Sequence, residues 1–167
     1  DEGLIVSLEL LVTLGVFAPL LGSLVAGLLG RRIGDRASQA VTILCMIVAA
    51  VCGTASFLPV LTGDALPGVI ALGTWMSVEE FEVSWALRYD TLSAVMVAMV
   101  TFIATLIHIY SVGYMSHDNS IPRFMSYLSL FTFMMLMLVT ADNLVQMFFG
   151  WEGVGLASYL LIRSEER

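Results

Sequence analysis

Glu152 is the residue whose type and position point most directly to chemistry. It interrupts an apolar run, Leu144 to Ile162, that is long enough to cross a membrane. A charged side chain at the centre of a membrane helix costs about 2.5–3.5 kcal/mol, so an ionisable residue held there is a candidate for proton or ion transport. We therefore predict that Glu152 is buried in the membrane and handles protons. A protonated glutamate that only hydrogen-bonds a neighbouring helix is the simpler alternative.

Small residues surround this glutamate. They thin the helix, and Gly153 with Ala157 forms a small-xxx-small face that allows another helix to approach closely. Close packing around one ionisable group predicts the wall of a channel, although glycine also serves plain packing. The residues predicted to pack near the site are Gly150, Gly153, Gly155 and Ala157.

His108 is the second candidate for proton transfer, because neutral histidine can relay protons. It lies towards one end of another apolar run, Leu92 to Met115. A histidine in this setting is more often a satisfied core residue. Cys45 and Cys52 lie seven positions apart in an apolar run, which is too far for a disulfide within one helix. We interpret them as small core residues and predict no metal site.

Composition indicates an integral membrane protein. The 167 residues are 59% hydrophobic and 13% charged, whereas soluble domains are about 45–50% apolar and about 25% charged. The net charge of −7 comes from short loops and termini and indicates little. Lysine is absent, and no basic feature of the sequence suggests nucleic acid as a partner. The sequence contains no phosphate loop, nucleophile–base arrangement or nucleotide fingerprint. We therefore expect no redox active site and no bound cofactor in this chain.

Five apolar runs predict an all-α transmembrane bundle, because each has roughly the 20 residues that a bilayer requires. A charged turn, Gly30 to Arg36, separates the first two runs, and Pro122 introduces the fourth. The acidic N-terminus lacks the basic region of a signal peptide, so the first run should be a retained helix. The runs are Leu4–Leu29, Ala37–Leu61, Leu92–Met115, Phe124–Thr140 and Leu144–Ile162.

The segment from Thr62 to Tyr89 differs from the rest of the chain. Phe81, Val83, Trp85, Leu87 and Tyr89 alternate with smaller or polar residues, and this period of two predicts a strand with one buried face. Residues 69–78 are its predicted partner, with residues 79–80 near the turn. Because an open strand edge cannot face hydrocarbon, the β-hairpin should lie at the membrane surface on the helix ends.

Two aspartates are predicted to cap helices. Asp142 precedes the fifth run and Asp90 precedes the third, where an acidic side chain favours a helix N-terminus.

Arginine placement predicts the orientation. Six of the seven arginines fall on one side of the five spans, and only Arg88 falls on the other. The positive-inside rule then places the N-terminus and the hairpin outside, and the C-terminus in the cytoplasm or matrix.

The sequence around Glu152 closely resembles one family. Residues 150–155, Gly-Trp-Glu-Gly-Val-Gly, lie within a run from Asp142 to Ile162 that resembles the chain 5 (L-type) antiporter-like subunit of proton-pumping NADH:quinone oxidoreductase, respiratory complex I. Residues 89–93, residues 107–115 and Arg123-Phe124 resemble the same family, in the same order along the chain. The resemblance covers most of the chain, and the block around Glu152 is highly specific.

The resemblance implies a role for Glu152 as the central glutamate of the first helix repeat, coupled to a lysine on a later helix. That lysine and many later helices lie outside this sequence. The ending, residues 163–167, departs from the family's aromatic-rich continuation. We expect a truncated, processed, engineered or split segment. The resemblance also implies a bacterial or mitochondrial inner membrane, further membrane subunits, the remainder of the subunit and lipid as partners, and flavin, iron–sulfur clusters and quinone in partner subunits.

The chain divides into four parts under this interpretation. Residues 1–61 form two transmembrane helices, 62–90 an extracytoplasmic hairpin, 91–121 the third helix and a cytoplasmic loop, and 122–167 two helices of an incomplete antiporter-like repeat. The leading hypothesis is a subunit of a proton-translocating NADH:quinone oxidoreductase. A subunit of a multi-subunit sodium/proton antiporter, and a piece with only a structural or assembly role, are the alternatives.

Overall fold

A computed structural model of the chain describes residues 2–63, 66–78, 81–118 and 120–165. Within these residues, five helical spans are long and apolar enough to cross a membrane, which confirms the predicted transmembrane bundle. The spans are Ile5–Ile33, Asp35–Thr62, Thr91–Tyr114, Ile121–Val139 and Leu144–Ser164. The small antiparallel hairpin was also predicted correctly.

The first span is not one regular helix. Helix α1 (Glu2–Leu24) continues into a π-helical turn (Val25–Leu29) and then into the short helix α2 (Gly30–Ile33). The predicted charged turn from Gly30 to Arg36 was wrong, because Arg31 and Arg32 are helical and the chain breaks only at Gly34. Gly34 has a φ of 84°, a conformation that glycine adopts at little steric cost.

The remaining spans are single helices, and one of them is central. They are α3 (Asp35–Thr62), α4 (Thr91–Tyr114), α5 (Ile121–Val139) and α6 (Leu144–Glu165). Helix α5 contacts α1, α3, α4 and α6, whereas α6 packs mainly against α5. The main core cluster joins α1, α4, α5 and the hairpin, with Val16, Leu87 and Leu136 fully buried.

The hairpin consists of β1 (Gly68–Val78) and β2 (Phe81–Tyr89). Its register pairs Gly68 with Tyr89 and Val78 with Phe81, with two irregularities along β1. The predicted turn, residues 79–80, lies outside the described residues. In β2, Val83, Leu87 and Tyr89 are buried as the alternation predicts.

The hairpin is fixed to the turn between α5 and α6. The backbone N–H of Arg88 donates to the Thr140 carbonyl at 2.8 Å, and the Asn143 side-chain amide donates to the Ser84 carbonyl at 2.7 Å. These bonds satisfy part of the strand edge, as the prediction of a hairpin on the helix ends requires. A further bond runs from the Tyr89 hydroxyl to Ser56 of α3, at 2.7 Å.

Only one of the two predicted aspartate caps is present. The Ser93 N–H donates to Asp90 at 2.9 Å, so Asp90 caps α4 as predicted. The prediction for Asp142 was wrong: Asn143 accepts from the Gln146 N–H at the start of α6. Asp142 instead forms an ion pair with Arg88, at 3.0 Å. The guanidinium of Arg88 binds the Asp142 carboxylate and holds it away from the helix end. The Asn143 side chain, one position later, accepts from the Gln146 N–H instead.

Close contact between α5 and α6 depends on small residues. A Cβ added at Gly150 would lie 2.8 Å from both the backbone nitrogen and the Cα of Leu138. A Cβ at Gly153 would collide with the side chain of Met134, and Ala157 is completely buried. A Cβ at Gly155 would meet no described atom within 4 Å. Thus Gly150, Gly153 and Ala157 lie on the packed face of α6, and Gly155 lies outside it.

Substitution of Gly150 should therefore weaken the helix pair. We expect the Gly150→Ala chain to be less stable than the Gly155→Ala chain by about 1–3 kcal/mol, because the new methyl group meets backbone atoms that cannot rotate away. Both variants add the same methyl group to the same helix. Thermal unfolding in detergent, followed by a thiol-reactive dye that detects the free cysteines Cys45 and Cys52, measures the difference. Equal stability of the two variants would contradict the observed packing.

The Asp90 cap should produce a pH-dependent stability. The Ser93 backbone N–H lowers the pKa of the Asp90 carboxyl below its ordinary value, against a smaller opposing effect of desolvation. A lowered pKa means that the stabilisation is fully present above the ordinary pKa of about 3.9 and is lost as the pH falls below that value and through the lowered pKa of the folded state. We expect Asp90→Ala to cost about 1 kcal/mol at pH 7 and less at pH 3.

The variant Asp90→Asn is the matched control, because it keeps the hydrogen-bond acceptor and lacks the titrating charge. Its unfolding temperature relative to the unsubstituted chain should change less than that of Asp90→Ala at pH 7. A cost of Asp90→Ala that stays constant between pH 7 and pH 3 would rule out the ionised cap.

Candidate functional site

Glu152 lies near the middle of the fifth span, Leu144–Ser164. Its side chain is exposed at the surface of the described chain and makes no hydrogen bond or ion pair with any described residue. Its burial in the membrane stays a prediction, but no other helix among the described residues covers Glu152. The reason is that α6 packs mainly against α5, and Glu152 is on a different face from the packed residues Gly150 and Ala157.

A stripe of exposed residues continues from Glu152 along α6. At helical spacing, Phe148, Leu156 and Tyr159 lie on the same face, with 63%, 58% and 58% of their surfaces exposed. We call Phe148, Glu152, Gly155, Leu156 and Tyr159 the outer stripe of α6. An ionised carboxylate in the middle of such a stripe is costly in hydrocarbon. Chemistry at this position therefore requires a proton on Glu152 or a partner group opposite it.

His108 has a different environment, since it is completely buried between α4 and α5. Its Nδ1 lies 2.7 Å from the Ala104 carbonyl oxygen of its own helix, and its Nε2 lies 3.0 Å from the Ser129 hydroxyl oxygen. A carbonyl oxygen only accepts, so Nδ1 carries the hydrogen and Nε2 of the neutral ring accepts from Ser129. Both nitrogens are thus satisfied without a positive charge.

The two candidates for proton transfer are not brought together. His108 points towards α5, and Glu152 lies on a face of α6 that points away from α5. Buried hydroxyls near His108 donate mainly to carbonyls of their own helices, as Thr101 does to Val97 at 2.7 Å. A network that connects His108 with Glu152 is absent from the described residues.

Sequence reasoning missed two polar residues near these candidates. Ser129 is the partner of His108, and only the structure selects it from the several serines and threonines of α5. Gln146 is completely buried. Its Oε1 accepts from the Ala86 N–H at 3.2 Å, and its Nε2 has no described partner. Its spacing from Gly150 and Gly153 was the available signal, because all three share the packed face of α6.

Arginines lie at one end of the bundle, and an arginine–aspartate ion pair lies at the other end. Arg31, Arg32, Arg36 and Arg123 lie at the ends of spans on one side, and the Arg88–Asp142 ion pair lies with the hairpin on the other. Among the described residues, no group of three or more His, Cys, Asp or Glu side chains could hold a metal ion.

Comparison with known proteins identifies a family. Residues 75–125, which include most of the hairpin and α4, match the family described as NADH-ubiquinone oxidoreductase (complex I), chain 5 N-terminus. The stretch around Glu152 lies beyond this match.

Longer similarity extends over most of the chain. It is 51% identical over 147 residues to NADH-ubiquinone oxidoreductase chain 5 of Arabidopsis thaliana, which is 88% of this chain and 22% of the relative. The chain 5 proteins of Triticum aestivum and Chondrus crispus are 50% and 49% identical, with the same shares covered. The chain spans about a fifth of the length of these relatives.

Five apolar spans and this similarity together show an integral membrane protein. With about half of its residues identical to these relatives over 88% of its length, the chain belongs to the NADH-ubiquinone oxidoreductase chain 5 family and corresponds to the N-terminal portion of its members.

Proposed function

We propose that the chain is the N-terminal part of a membrane subunit that takes part in proton translocation coupled to NADH:quinone oxidoreduction. Membership of the chain 5 family and five membrane spans support this proposal. Glu152 is the intramembrane carboxylate that takes up and releases the proton. Other membrane subunits of the same complex, and the remainder of this subunit, are its partners.

The observation that carries the proposal is the position of Glu152. It lies in mid-span on the outer stripe of α6, where the described chain offers its carboxylate no partner. A group that costs about 2.5–3.5 kcal/mol when charged in hydrocarbon needs a compensating interaction. A lysine on a later helix, which the family resemblance implies, would supply the opposite charge on this side of α6. The chain then contains one half of a proton-handling pair.

Electron transfer is assigned to partner subunits. NADH oxidation would take place at their flavin and iron–sulfur clusters, and quinone would bind outside this chain. The five arginines that the structure describes at one end of the bundle favour placing that end in the cytoplasm or matrix, with the hairpin on the opposite side of the inner membrane.

His108 is assigned to positioning in this proposal. Its Nδ1–H is bound to a carbonyl of its own helix, and its Nε2 accepts from a hydroxyl. Proton transfer through the ring would have to break one of these bonds and place a charge at a fully buried site. The hydrogen bond between His108 and Ser129 instead joins α4 to α5.

Replacement of Glu152 tests the central claim. We expect Glu152→Gln, in the assembled complex reconstituted into liposomes, to reduce proton uptake per NADH oxidised by more than about tenfold, because a positioned proton-transfer group contributes about 10²-fold or more. Uptake is followed with a pH-sensitive dye inside the vesicles.

Glu9→Gln is the matched control, since Glu9 is the other glutamate within an apolar span and lies near the outer end of α1. It should leave proton uptake unchanged. Normal pumping by Glu152→Gln would refute the proton-transfer role and favour a structural or assembly role. Uptake that requires sodium, without flavin or iron–sulfur partners in the purified complex, would favour the antiporter alternative.

Substitution of His108, unlike substitution of Glu152, should leave proton uptake nearly unchanged. We expect His108→Gln to keep proton uptake per NADH within about twofold of the unsubstituted complex, because a positioning residue does not carry the roughly 10²-fold contribution of a proton-transfer group. The same variant should lower thermal stability by about 1–3 kcal/mol, because buried hydrogen bonds are lost. A strong loss of pumping at unchanged stability would instead establish His108 as a relay.

A further inference from the structure

A polar cleft opens at the arginine-rich end of the bundle, far along the chain from Glu152. It has a volume of about 410 Å³ and lies between the end of the first span and the start of α5. The π-helical turn contributes Ala26 and Gly27, and α5 contributes Ser126 and Tyr127. The site proposed for proton transfer includes none of these residues.

Two arginines from different helices line this cleft, and neither has a described partner. Arg31 lies on α2 and Arg123 on the first turn of α5. Neither guanidinium forms an ion pair with a described carboxylate, although Asp35 also lines the cleft. The planar guanidinium matches the geometry of phosphate oxygens and donates two parallel hydrogen bonds to them. Two such groups around one cavity favour an anionic ligand.

A second cleft, of about 190 Å³, is continuous with this basic surface. Arg123 and Tyr127 line both clefts, and Arg163 of α6 lines the second. Basic side chains therefore surround the start of α5 on both sides. The Tyr127 side chain, at the boundary of the two clefts, adds a hydroxyl that can donate to an anion.

Apolar surface adjoins the charged cleft. Leu28 and Leu29 of the π-helical turn are 77% and 44% exposed, and Ile33 is 38% exposed. These residues lie at the end of a membrane span, where apolar surface beside the charged cleft is available to lipid chains. A ligand with an anionic head and an apolar body fits this combination, because basic pockets between membrane helices recognise lipid headgroups.

We propose that the cleft between α2 and α5 binds the phosphate of an anionic glycerophospholipid, with Arg31 and Arg123 as its ligands and the acyl chains along Leu28 and Ile33. Free inorganic phosphate shares the same head chemistry. The apolar surface beside the cleft favours the lipid.

Lipid titration of the intact 167-residue chain tests this site. The chain is purified in a neutral detergent and titrated with phosphatidylglycerol or with phosphatidylcholine of identical acyl chains, and bound lipid is counted by native mass spectrometry. We expect stronger binding of phosphatidylglycerol. The double variant R31Q/R123Q should weaken that binding about 30-fold, since each arginine near an anionic lipid contributes about fivefold.

The control is R32Q/R36Q, which removes two positive charges from the same end of the bundle but alters no residue that lines either cleft. It should weaken phosphatidylglycerol binding by less than about fivefold, the contribution of one arginine. The thermal stabilities of both double variants are measured alongside, so that a loss of folding is recognised. If the R31Q/R123Q chain unfolds, the single variants R31Q and R123Q are used, each with about a fivefold expected effect.

Three results would overturn the proposal. Equal binding of the two phospholipids would show that the net negative charge of the lipid is not recognised, since both headgroups contain a phosphate. Equal weakening by both double variants would show a diffuse effect of positive charge. Displacement of the bound phospholipid by inorganic phosphate at millimolar concentration would identify free phosphate, rather than lipid, as the ligand.

Discussion

Hydrocarbon offers no hydrogen-bond partners, and the need to satisfy the backbone within the chain determines this architecture. The five spans meet it with internal helical bonds. The outer edges of the hairpin leave backbone N–H and C=O groups without partners inside the hairpin. The hairpin lies where the polar backbone of the α5–α6 turn can bind these groups. Thr140 accepts from Arg88 there, and Asn143 donates to the strand carbonyl of Ser84. The same short turn thus closes a strand edge and begins the helix that carries Glu152.

Helix α6 is held in position mainly by α5 and by the hairpin. Gly150 allows the helix to approach the backbone of Leu138, and Gln146 ties its first turn to the hairpin through Ala86. The outer stripe around Glu152 has no described protein neighbour. An ionisable side chain is therefore held at a fixed depth by packing on one side only, while the opposite side is free for another surface.

The sequence predicts those features that depend on neighbouring residues along the chain. Apolar length identifies the spans, period-two alternation identifies β2, and the position of Asp90 before an apolar run identifies a cap. Features that depend on tertiary partners were missed. Asp142 is drawn to Arg88, 54 positions earlier, and leaves the cap to Asn143. Whether Glu152 is covered depends on which side of α6 packs against α5. Glycines lie on several sides of α6, so the sequence alone does not predict the packed side.

The π-helical turn at Val25–Leu29 has a consequence for the membrane surface. A π turn contains more residues than an α turn, so every side chain beyond it is rotated about the helix axis relative to a regular helix. Gly30 meets Pro122 across the interface, and Arg31 comes to line the cleft. The wide turn therefore changes the direction in which the residues after it point around the helix axis. It lets the angular placement of the charges at the end of the span vary independently of the packing in the membrane interior.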